Sequence, residues 1–301
     1  MIPVKFKNEP LSIVTRYKKP VYIFSQESLG NQDDFVVKSF GEEWDKFNDF
    51  SDKDLQEMGD EFFDIVNSIL TKDIYAIDIG CGSGRWIKYL SDKLGFIEAV
   101  DPSDAIFVAD KLLRDVDNVR LSKAASDNLP FYENTFDFGM SVGVLHHIPD
   151  TFKALKDCVK MIKPGGYFYV YLYYNFENRG IFFKSLFTIA NFFRKRISLL
   201  APEPKKAICE IIAVTVYMPF VLLSRLIAFF GLLKMADIIP LSGYRNKSFY
   251  IIRNDALDRF GTALEQRFSK KEIEKMMLDS GLHNIIFSNN IPYYHAIGQK
   301  L

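Results

Sequence analysis

The sequence has few cysteines and no surplus of either charge. Its three cysteines, Cys81, Cys158 and Cys209, are odd in number, lie far apart and form no CxxC pair, which argues against a disulfide framework and against a zinc ribbon. Lys and Arg total 38, as do Asp and Glu, so the chain lacks the basic excess that is typical of nucleic-acid-binding proteins. The start of the sequence also lacks the apolar segment of a secretory signal. We therefore expect a cytoplasmic protein without a nucleic-acid partner.

The sequence also lacks an uninterrupted apolar segment long enough to cross a membrane. Residues 207–233 are strongly apolar, but Glu210 and Arg225 leave only 14 residues between them, and Pro219 is expected to break that run further. A spanning helix needs about 20 apolar residues. Two basic groups precede the segment, which suits peripheral contact with the anionic inner face of a membrane: Arg194–Arg196 and Lys205–Lys206. The alternatives are helices packed over a substrate cleft and a face that joins copies of the chain in a homo-oligomer.

Short apolar segments alternate with amphipathic segments over most of the first half of the chain. The apolar segments predict strands at residues 75–79, 97–100, 119–121, 136–141 and 167–174. The amphipathic segments predict helices at residues 54–70, 83–94, 103–115 and 149–161. This alternation is typical of an α/β fold with a doubly wound, mostly parallel sheet that carries helices on both faces.

The same patterns divide the chain into four parts. We predict an irregular N-terminal arm or lid (1–53), a Rossmann-like core (54–174), a helical insertion that forms a substrate lid (175–262) and a C-terminal completion of the sheet (263–301). In the last part, a capping box at Ser269–Glu272 begins a helix that Gly281 ends. Strands at 283–288 and 293–299 follow, and the four residues between them are too few for a parallel crossover, so the last strand must be antiparallel.

A glycine-rich segment, Asp78–Gly84 (DIGCGSG), directly follows the first predicted strand of the core. Glycines at such a turn let the backbone approach a ligand without a Cβ clash. Arg85 stands where a dinucleotide-binding motif would have its last glycine, so the pattern is D-x-G-x-G-x-G instead. Asp101 ends the second predicted strand of the core, where a carboxylate accepts hydrogen bonds from both hydroxyls of a ribose. The alternative role of Asp101 is to cap the helix that follows.

These and other motifs together resemble the class I S-adenosylmethionine-dependent methyltransferases over residues 72–174 and 263–301. The segments similar to the family's motifs are IDIGCGSG (77–84), VDPS (100–103), LPF (129–131), NTFD (134–137), VLHHIPD (144–150) and KPGG (163–166). Their order and spacing make the resemblance specific. The resemblance implies a Rossmann-like fold, methyl transfer, S-adenosyl-L-methionine as cofactor and S-adenosyl-L-homocysteine as product.

The resemblance also implies roles for individual residues. The glycines and their neighbours would hold the methionine part of the cofactor, Asp101 the ribose and residues 126–127 the adenine. The candidate cofactor-binding residues are Asp78, Gly80, Cys81, Gly82, Gly84, Asp101, Pro102, Ser126, Asp127 and Ser141. Many family members have an acid at the position aligned with Ala125, so in this chain either Asp127 or backbone atoms contact the adenine.

Two adjacent histidines, His146 and His147, follow the strand predicted at 136–141. In open α/β sheets the reaction site lies at the carboxyl ends of the strands, and a neutral imidazole there suits removal of a proton from a hydroxyl or ammonium nucleophile. Either one histidine is the general base or both only shape the pocket. Two adjacent histidines do not form an enclosed coordination set, so we expect no metal.

The methyl acceptor is the part of the function that the sequence defines least. The candidate acceptor-binding residues are Tyr173, Tyr174, Asn175 and Arg179. The segment Phe40–Trp44 either folds over the cofactor as a lid or anchors the arm. The pattern resembles methyltransferases of glycan and natural-product biosynthesis, which implies O-methylation of a sugar, a glycoconjugate or a similar small molecule. The alternatives are methylation of a membrane-borne isoprenoid or quinone-like lipid, and a partner protein that binds the cofactor without catalysis.

Overall fold

The computed structural model describes residues 2–24, 28–46, 52–177 and 180–301 of the chain. The chain divides into two compact units. Unit 1 comprises Met1–Asn175 and Leu264–Leu301, and unit 2 comprises Phe176–Ala263. The sheet and the predicted cofactor motif belong to unit 1, whereas unit 2 is helical.

The described residues form one sheet of nine strands. The strands are β1 (Ser12–Val14), β2 (Val21–Ile23), β3 (Tyr75–Ile79), β4 (Phe96–Asp101), β5 (Val119–Lys123), β6 (Phe136–Val142), β7 (Ile162–Tyr171), β8 (Leu282–Phe287) and β9 (His295–Lys300). Their order is β1-β2-β5-β4-β3-β6-β7-β9-β8. The strands from β2 to β7 are parallel neighbours, whereas β9 is antiparallel to both β7 and β8. The predicted doubly wound sheet with an antiparallel last strand is therefore confirmed.

Helices cover both faces of this sheet. The helices of unit 1 are α1 (Asp34–Lys46), α2 (Asp52–Phe62), α3 (Arg85–Leu90), α4 (Ala105–Leu112), α5 (Thr151–Lys160) and α11 (Lys270–Asp279). Unit 2 by itself contains α6 (Ile181–Ile197), α7 (Pro202–Ile212), α8 (Met218–Phe229), α9 (Leu233–Ile238) and α10 (Phe249–Gly261). Alternate residues of β3 belong to different hydrophobic clusters, Ala76 to the one that contains α2, α3 and α4, and Ile77 to the one that contains α5 and α11. Because strand side chains alternate between faces, these clusters are the two cores of a doubly wound fold.

The N-terminal part of the chain is more regular than the sequence predicts. We expected an irregular arm over residues 1–53, but β2 pairs in parallel with β5, β1 pairs antiparallel with β2, and α1 follows. Asp110 of α4 is fully buried and accepts hydrogen bonds from the backbone N–H groups of residues 17, 18 and 19, at 2.9, 3.1 and 2.7 Å. The strands β1 and β2 have three residues each, which is too short for a period-2 pattern, and they form instead because β2 pairs with β5 and β1 pairs with β2.

The strand β7 differs from its predicted bounds at both ends. It begins at Ile162, and the glycine-containing turn expected at residues 163–166 lies within it as an irregularity of its pairing with β6. It ends at Tyr171, so Tyr173 and Tyr174 lie beyond it rather than in it. The helices are shorter than predicted: α2 ends at Phe62 instead of residue 70, α3 ends at Leu90 instead of residue 94, and α4 ends at Leu112 instead of residue 115. Helix α5 begins at Thr151 instead of residue 149. The predicted capping box that begins α11 is present.

Unit 2 contains one long helical segment where the sequence predicts an interruption. The segment runs without a break from Pro202 to Phe229, through α7, a π-helical turn at Ala213–Tyr217 and α8. Pro219 is the second residue after the π turn, and the wider turn accommodates a residue that has no N–H to donate to the preceding turn. Among the described residues, this is the one helix that is long and apolar enough to cross a membrane by length and composition.

Candidate active site

The loop between β3 and α3 contains three glycines in the left-handed region. The φ angles of Gly80, Gly82 and Gly84 are +82°, +53° and +79°. A Cβ atom on Gly80 would lie 2.6 Å from the side chain of Val144, and one on Gly84 would lie 2.7 Å from Leu113. A side chain at either position would therefore be strained and would clash, so the loop requires glycine to keep its close approach.

Two buried carboxylates flank this loop. Asp101, at the end of β4, accepts hydrogen bonds from the N–H of Gly82 at 2.9 Å and from the N–H and hydroxyl of Ser103 at 2.8 and 2.6 Å. Burial raises its pKa although these hydrogen bonds oppose the shift. Asp78 is fully buried in β3, and its Oδ2 has no hydrogen-bond partner among the described residues. Burial and then the charge of Asp101 raise the pKa of Asp78 to about 8, against the opposing charge of Arg85.

The other predicted cofactor residues lie around the same edge of the sheet. The hydroxyl of Ser141 in β6 donates to the carbonyl of Ile79 at 2.8 Å, so it joins two strands of the sheet. The thiol of Cys81 is buried, and burial raises its pKa well above the usual value. Pro102 directly follows β4 and is half-buried. Among the described residues, no group of three or more His, Cys, Asp or Glu side chains is placed to hold a metal ion.

Asp127 follows β5 and contacts the N-terminal segment of the chain. Its Oδ2 accepts hydrogen bonds from the hydroxyl of Ser28 at 2.7 Å and from the N–H of Asn31 at 3.1 Å. The side chain of Asn31 also exchanges two hydrogen bonds with the backbone of Asp150, at 2.8 and 2.9 Å. The segment from Ser28 to Asn31 thus connects the loop after β5 with the loop after β6. The neighbouring Ser126 is half-buried.

Helix α1 lies against the loops at this edge of the sheet. The ring of Phe40 lies 5.1 Å from the ring of His147, measured between centroids. A Cβ on Gly41 would lie 3.1 Å from the backbone nitrogen of Asp104, which follows β4. Two residues of the predicted lid segment therefore contact the site, whereas the side chain of Trp44 lies outside the described part of the structure.

The two histidines occupy a 3₁₀ turn at Leu145–His147, just after β6. Nδ1 of His147 lies 2.7 Å from the carbonyl oxygen of Leu264. A carbonyl can only accept, so we assign the proton to Nδ1 and a lone pair to Nε2. His146 is fully buried and stacks on Tyr173, with 3.9 Å between ring centroids. Burial, followed by the charges of His147 and Arg267, holds the pKa of His146 well below its usual value, so this imidazole is neutral.

A segment that sequence reasoning missed, Leu264–Phe268, completes the surroundings of the histidines. Gln266 donates its N–H to the carbonyl of His146 at 3.0 Å, and Phe268 donates its N–H to the carbonyl of Tyr173 at 2.9 Å. We expected only the return of the chain to the core here. The signal in the sequence was the polar triplet Glu-Gln-Arg between Leu264 and Phe268, directly before the capping box.

An ion pair of this segment lies beside the histidines. Arg267 and Glu265 form a largely buried ion pair at 2.7 Å, and the Arg267 guanidinium lies 5.1 Å from the centre of the Tyr173 ring. Of the remaining acceptor candidates, the ring of Tyr174 contacts Tyr293 and Tyr294, whereas Arg179 lies outside the described residues.

Asn175 is another candidate for binding the methyl acceptor. Its backbone N–H donates to the carbonyl of Phe268 at 3.0 Å. The structure thus brings His146, His147 and Tyr173 together. It places Tyr174 and Asn175 at the joint between the chain after β7 and the segment Leu264–Phe268.

The sequence between β3 and β7 identifies the domain. Residues 77–170 match the family model described as "Methyltransferase domain". This segment is a methyltransferase domain. It contains the glycine loop, Asp101 and both histidines, and the family implies S-adenosylmethionine as the cofactor.

Relatives of the methyltransferase domain are similar over part of their length. A demethylmenaquinone methyltransferase of Bacillus licheniformis is 28% identical over 137 residues, which are 44% of this chain and 58% of that protein. A demethylmenaquinone methyltransferase of Staphylococcus aureus is 33% identical over 100 residues, which are 32% of this chain and 41% of that protein. The chain thus spans about half the length of these curated relatives.

Solved structures also resemble the chain. The YcgJ protein of Bacillus subtilis has a TM-score of 0.45 and 16% identity, with 77% of this chain and 69% of that chain covered. A SAM-dependent methyltransferase of Aquifex aeolicus has a TM-score of 0.43 and 14% identity, with 83% of this chain and 97% of that chain covered. The methyltransferase assignment rests on the sequence match of residues 77–170.

The residues of the site fit S-adenosylmethionine. The unpartnered, buried Oδ2 of Asp78 is an acceptor suited to the ammonium group of the methionine part. The hydroxyl of Ser83, next to the glycines, is also buried without a hydrogen-bond partner in the described chain. The glycines let the loop pack closely against Val144 and Leu113, an approach that a Cβ at Gly80 or Gly84 would prevent. These features are the ones expected of a domain that binds a small cationic ligand.

The raised pKa of Asp78 predicts a pH-dependent stability. A carboxyl group whose pKa is about 8 in the folded protein and about 4 in the unfolded chain favours the folded state at low pH. The free energy of unfolding should therefore fall as the pH rises from about 5 to 8, by at most about 1.4 kcal/mol per pH unit from this group.

Urea denaturation of the wild type and of Asp78→Asn over this pH range tests the prediction. The asparagine variant should show a smaller slope. Asp157→Asn is the control, since its carboxylate only pairs with two lysines on the surface of α5. Equal slopes in the wild type and in Asp78→Asn would contradict the assignment.

Proposed function

We propose that the chain is an enzyme that transfers a methyl group from S-adenosylmethionine to a small acceptor. The observation that carries the proposal is the left-handed glycine loop beside Asp78 and Asp101, at the edge of the sheet where β6 presents two buried histidines. This is the edge at which open α/β sheets bind their ligands. A protein that only binds the cofactor would need the glycine loop and the acids but not the histidines.

The residues of the chain would hold and shield the cofactor. When bound, S-adenosylmethionine supplies a methyl group that is already activated as a sulfonium. Asp78 would accept from the ammonium group, and Asp101 would accept from the ribose hydroxyls after releasing part of its hydrogen bonding to Gly82. Helix α1, through Phe40, excludes water at the side of His147. The contribution of the protein is alignment and exclusion of water, together with removal of a proton from the acceptor.

His147 is our candidate for the general base. Its Nδ1–H donates to the Leu264 carbonyl, which fixes the ring and leaves the lone pair of Nε2 to accept a proton from the nucleophile. His146 is a weaker base, since burial holds its pKa well below the usual value. We assign His146 to shaping the pocket, where it stacks on Tyr173.

For the acceptor we favour a quinone-like or isoprenoid lipid. Two observations support this class: the relatives from Bacillus licheniformis and Staphylococcus aureus are demethylmenaquinone methyltransferases, and the long helical segment of unit 2 exposes large apolar side chains. Pockets for such acceptors are lined mainly by aromatic and apolar groups. The rings of Phe40 and Tyr173 lie beside the two histidines and would supply such contacts. O-methylation of a sugar or glycoconjugate stays a prediction from the sequence.

Cofactor binding and transfer can be tested in two steps. Isothermal titration with S-adenosylmethionine should show binding to the wild type and an affinity about 10- to 100-fold lower for Asp101→Asn, which loses a charged acceptor. Transfer of radiolabelled methyl into a bacterial extract should then place label in the organic fraction. Label in the small aqueous fraction would favour a sugar acceptor. Binding without any label would favour the non-catalytic partner, and absence of binding would overturn the proposal.

A further inference from the structure

The continuous helix Pro202–Phe229 of unit 2 has small and polar side chains on its buried side. The residues of this helix that are buried are Lys205, Cys209, Ala213, Tyr217, Val221 and Ser224. They meet other polar groups, since the hydroxyl of Tyr217 donates to Asp255 at 3.0 Å and that of Ser224 donates to the carbonyl of Ala236 at 3.0 Å. Asp255 also pairs with Arg259 at 2.8 Å. The buried side of the helix therefore joins a small hydrophobic cluster with Ile252 and Ala256 and also makes polar contacts within unit 2.

Large apolar side chains lie on the outside of the same helix and of the turn and helix that follow. We call these residues the apolar surface; they are Ile211, Val214, Val216, Leu222, Leu223, Leu226, Phe229, Phe230, Leu232, Leu233, Met235 and Ile238, each between 43% and 84% exposed. Over an 18-residue apolar stretch of this helix, only 22% is buried. A helix in water has the opposite arrangement, with its apolar stripe inward, so this one is matched to an apolar environment.

Unit 2 has a net positive charge, although the chain is neutral overall. Residues 176–263 contain 13 Lys and Arg but only six Asp and Glu, a net charge of +7, so the remainder of the chain has a net charge of −7. Several of the basic side chains are exposed on helices that also expose apolar side chains: Lys184, Lys195 and Arg196 on α6, and Lys234 on α9. Apolar side chains together with an excess of Lys and Arg are the chemistry of a segment that binds an anionic lipid surface.

We propose that the apolar surface of unit 2 docks on the face of a bilayer that contains anionic lipids. The helix lies in the interface instead of crossing the membrane, because its uncharged run ends at Glu210 and Arg225. Glu210 forms an ion pair with Arg253, and Arg225 donates to the carbonyls of Arg245 and Lys247 at 2.6 and 3.2 Å. Both charges are thus held by polar groups of unit 2 at the two ends of a run shorter than the bilayer core.

Vesicle sedimentation of the full chain tests this proposal without any turnover. With vesicles of phosphatidylcholine and about 30% phosphatidylglycerol, the wild type should pellet, whereas Leu226→Gln/Phe229→Gln should lose at least about tenfold in its partition coefficient. Lys195→Gln/Lys234→Gln should bind the anionic vesicles more weakly and bind pure phosphatidylcholine as the wild type does. The matched control is Leu11→Gln/Tyr132→Gln, which removes two exposed apolar side chains of unit 1 and should leave binding unchanged.

Other occupants of the apolar surface give different results. If the wild type stays in solution with anionic vesicles, the proposal is wrong. If it sediments as a dimer without vesicles and Leu226→Gln/Phe229→Gln makes it monomeric, a second copy covers the surface. Resistance to extraction by alkaline carbonate would indicate a spanning helix and overturn docking at the interface. Titration with S-adenosylmethionine monitors the cofactor site in the same variants, so failure of membrane docking is distinguishable from failure of the proposed methyl transfer.

Discussion

Replacing Gly80 with alanine should lower the affinity for S-adenosylmethionine by about 10- to 100-fold, which corresponds to about 1.4–2.8 kcal/mol. The φ angle of Gly80 is +82°, a region that costs an L-residue about 1–2 kcal/mol, and the added Cβ would lie 2.6 Å from the Val144 side chain. The loop must move to relieve this contact, and Val144 directly precedes the turn that carries the histidines. Isothermal titration measures the affinity, and urea denaturation measures the accompanying loss of stability.

Gly165→Ala is the matched control for this substitution. Gly165 has almost the same φ angle, +81°, but a Cβ there would meet no atom within 4 Å, and the residue lies in β7 near the start of that strand. This variant should lose about 1–2 kcal/mol of stability and keep its affinity for the cofactor. Equal affinities of the Gly80 and Gly165 variants would exclude the close approach at Gly80 as a feature of the cofactor site.

Replacing His147 with glutamine should reduce the rate of methyl transfer by about 10²- to 10⁴-fold while cofactor binding stays within about twofold, which is the range that loss of a general base produces. The reason is that the Leu264 carbonyl orients the ring of His147, whereas burial holds the pKa of His146 well below its usual value. The rate is measured as radiolabel transferred from S-adenosylmethionine into the organic fraction of a bacterial extract.

His146→Phe is the comparison that separates chemistry from packing. Phenylalanine retains an aromatic ring to stack on Tyr173 but has no ring nitrogen, so transfer should fall by less than about tenfold if His146 only shapes the pocket. A larger loss in His146→Phe than in His147→Gln would reverse the two assignments. Loss in neither variant would mean that alignment alone drives the transfer.

The central sheet was predictable from sequence because its strands are buried on both faces. Tyr75–Ile79 is an apolar run in which every residue is buried, and the glycines that stop it mark the loop to within one residue. The position of Asp101 was predictable in the same way, because it ends an apolar strand and is followed by a proline. At these positions the local sequence pattern and the tertiary environment favour the same structure, and for this reason the sequence alone predicts it.

The parts that the sequence did not reveal depend on pairing between distant residues. Strand β2 forms against Leu121 and its neighbours, a hundred residues later, and three residues carry no periodicity of their own. The orientation of His147 depends on the backbone carbonyl of Leu264. Because every residue has such a carbonyl, no side-chain pattern in the sequence indicates this contact. Pro219 was misjudged for a different reason, since a π turn next to it preserves a helix that a regular α-helical ladder could not continue.

The two segments of unit 1 that flank unit 2 are hydrogen-bonded to each other. The chain leaves unit 1 after Asn175 and returns at Leu264, and two backbone hydrogen bonds tie these ends together, from Asn175 to Phe268 and from Phe268 to Tyr173. Because backbone groups make this closure, it does not depend on what the intervening 88 residues are. The whole of unit 2 can therefore be replaced during evolution while the segment Leu264–Phe268 keeps its hydrogen bonds to His146 and His147.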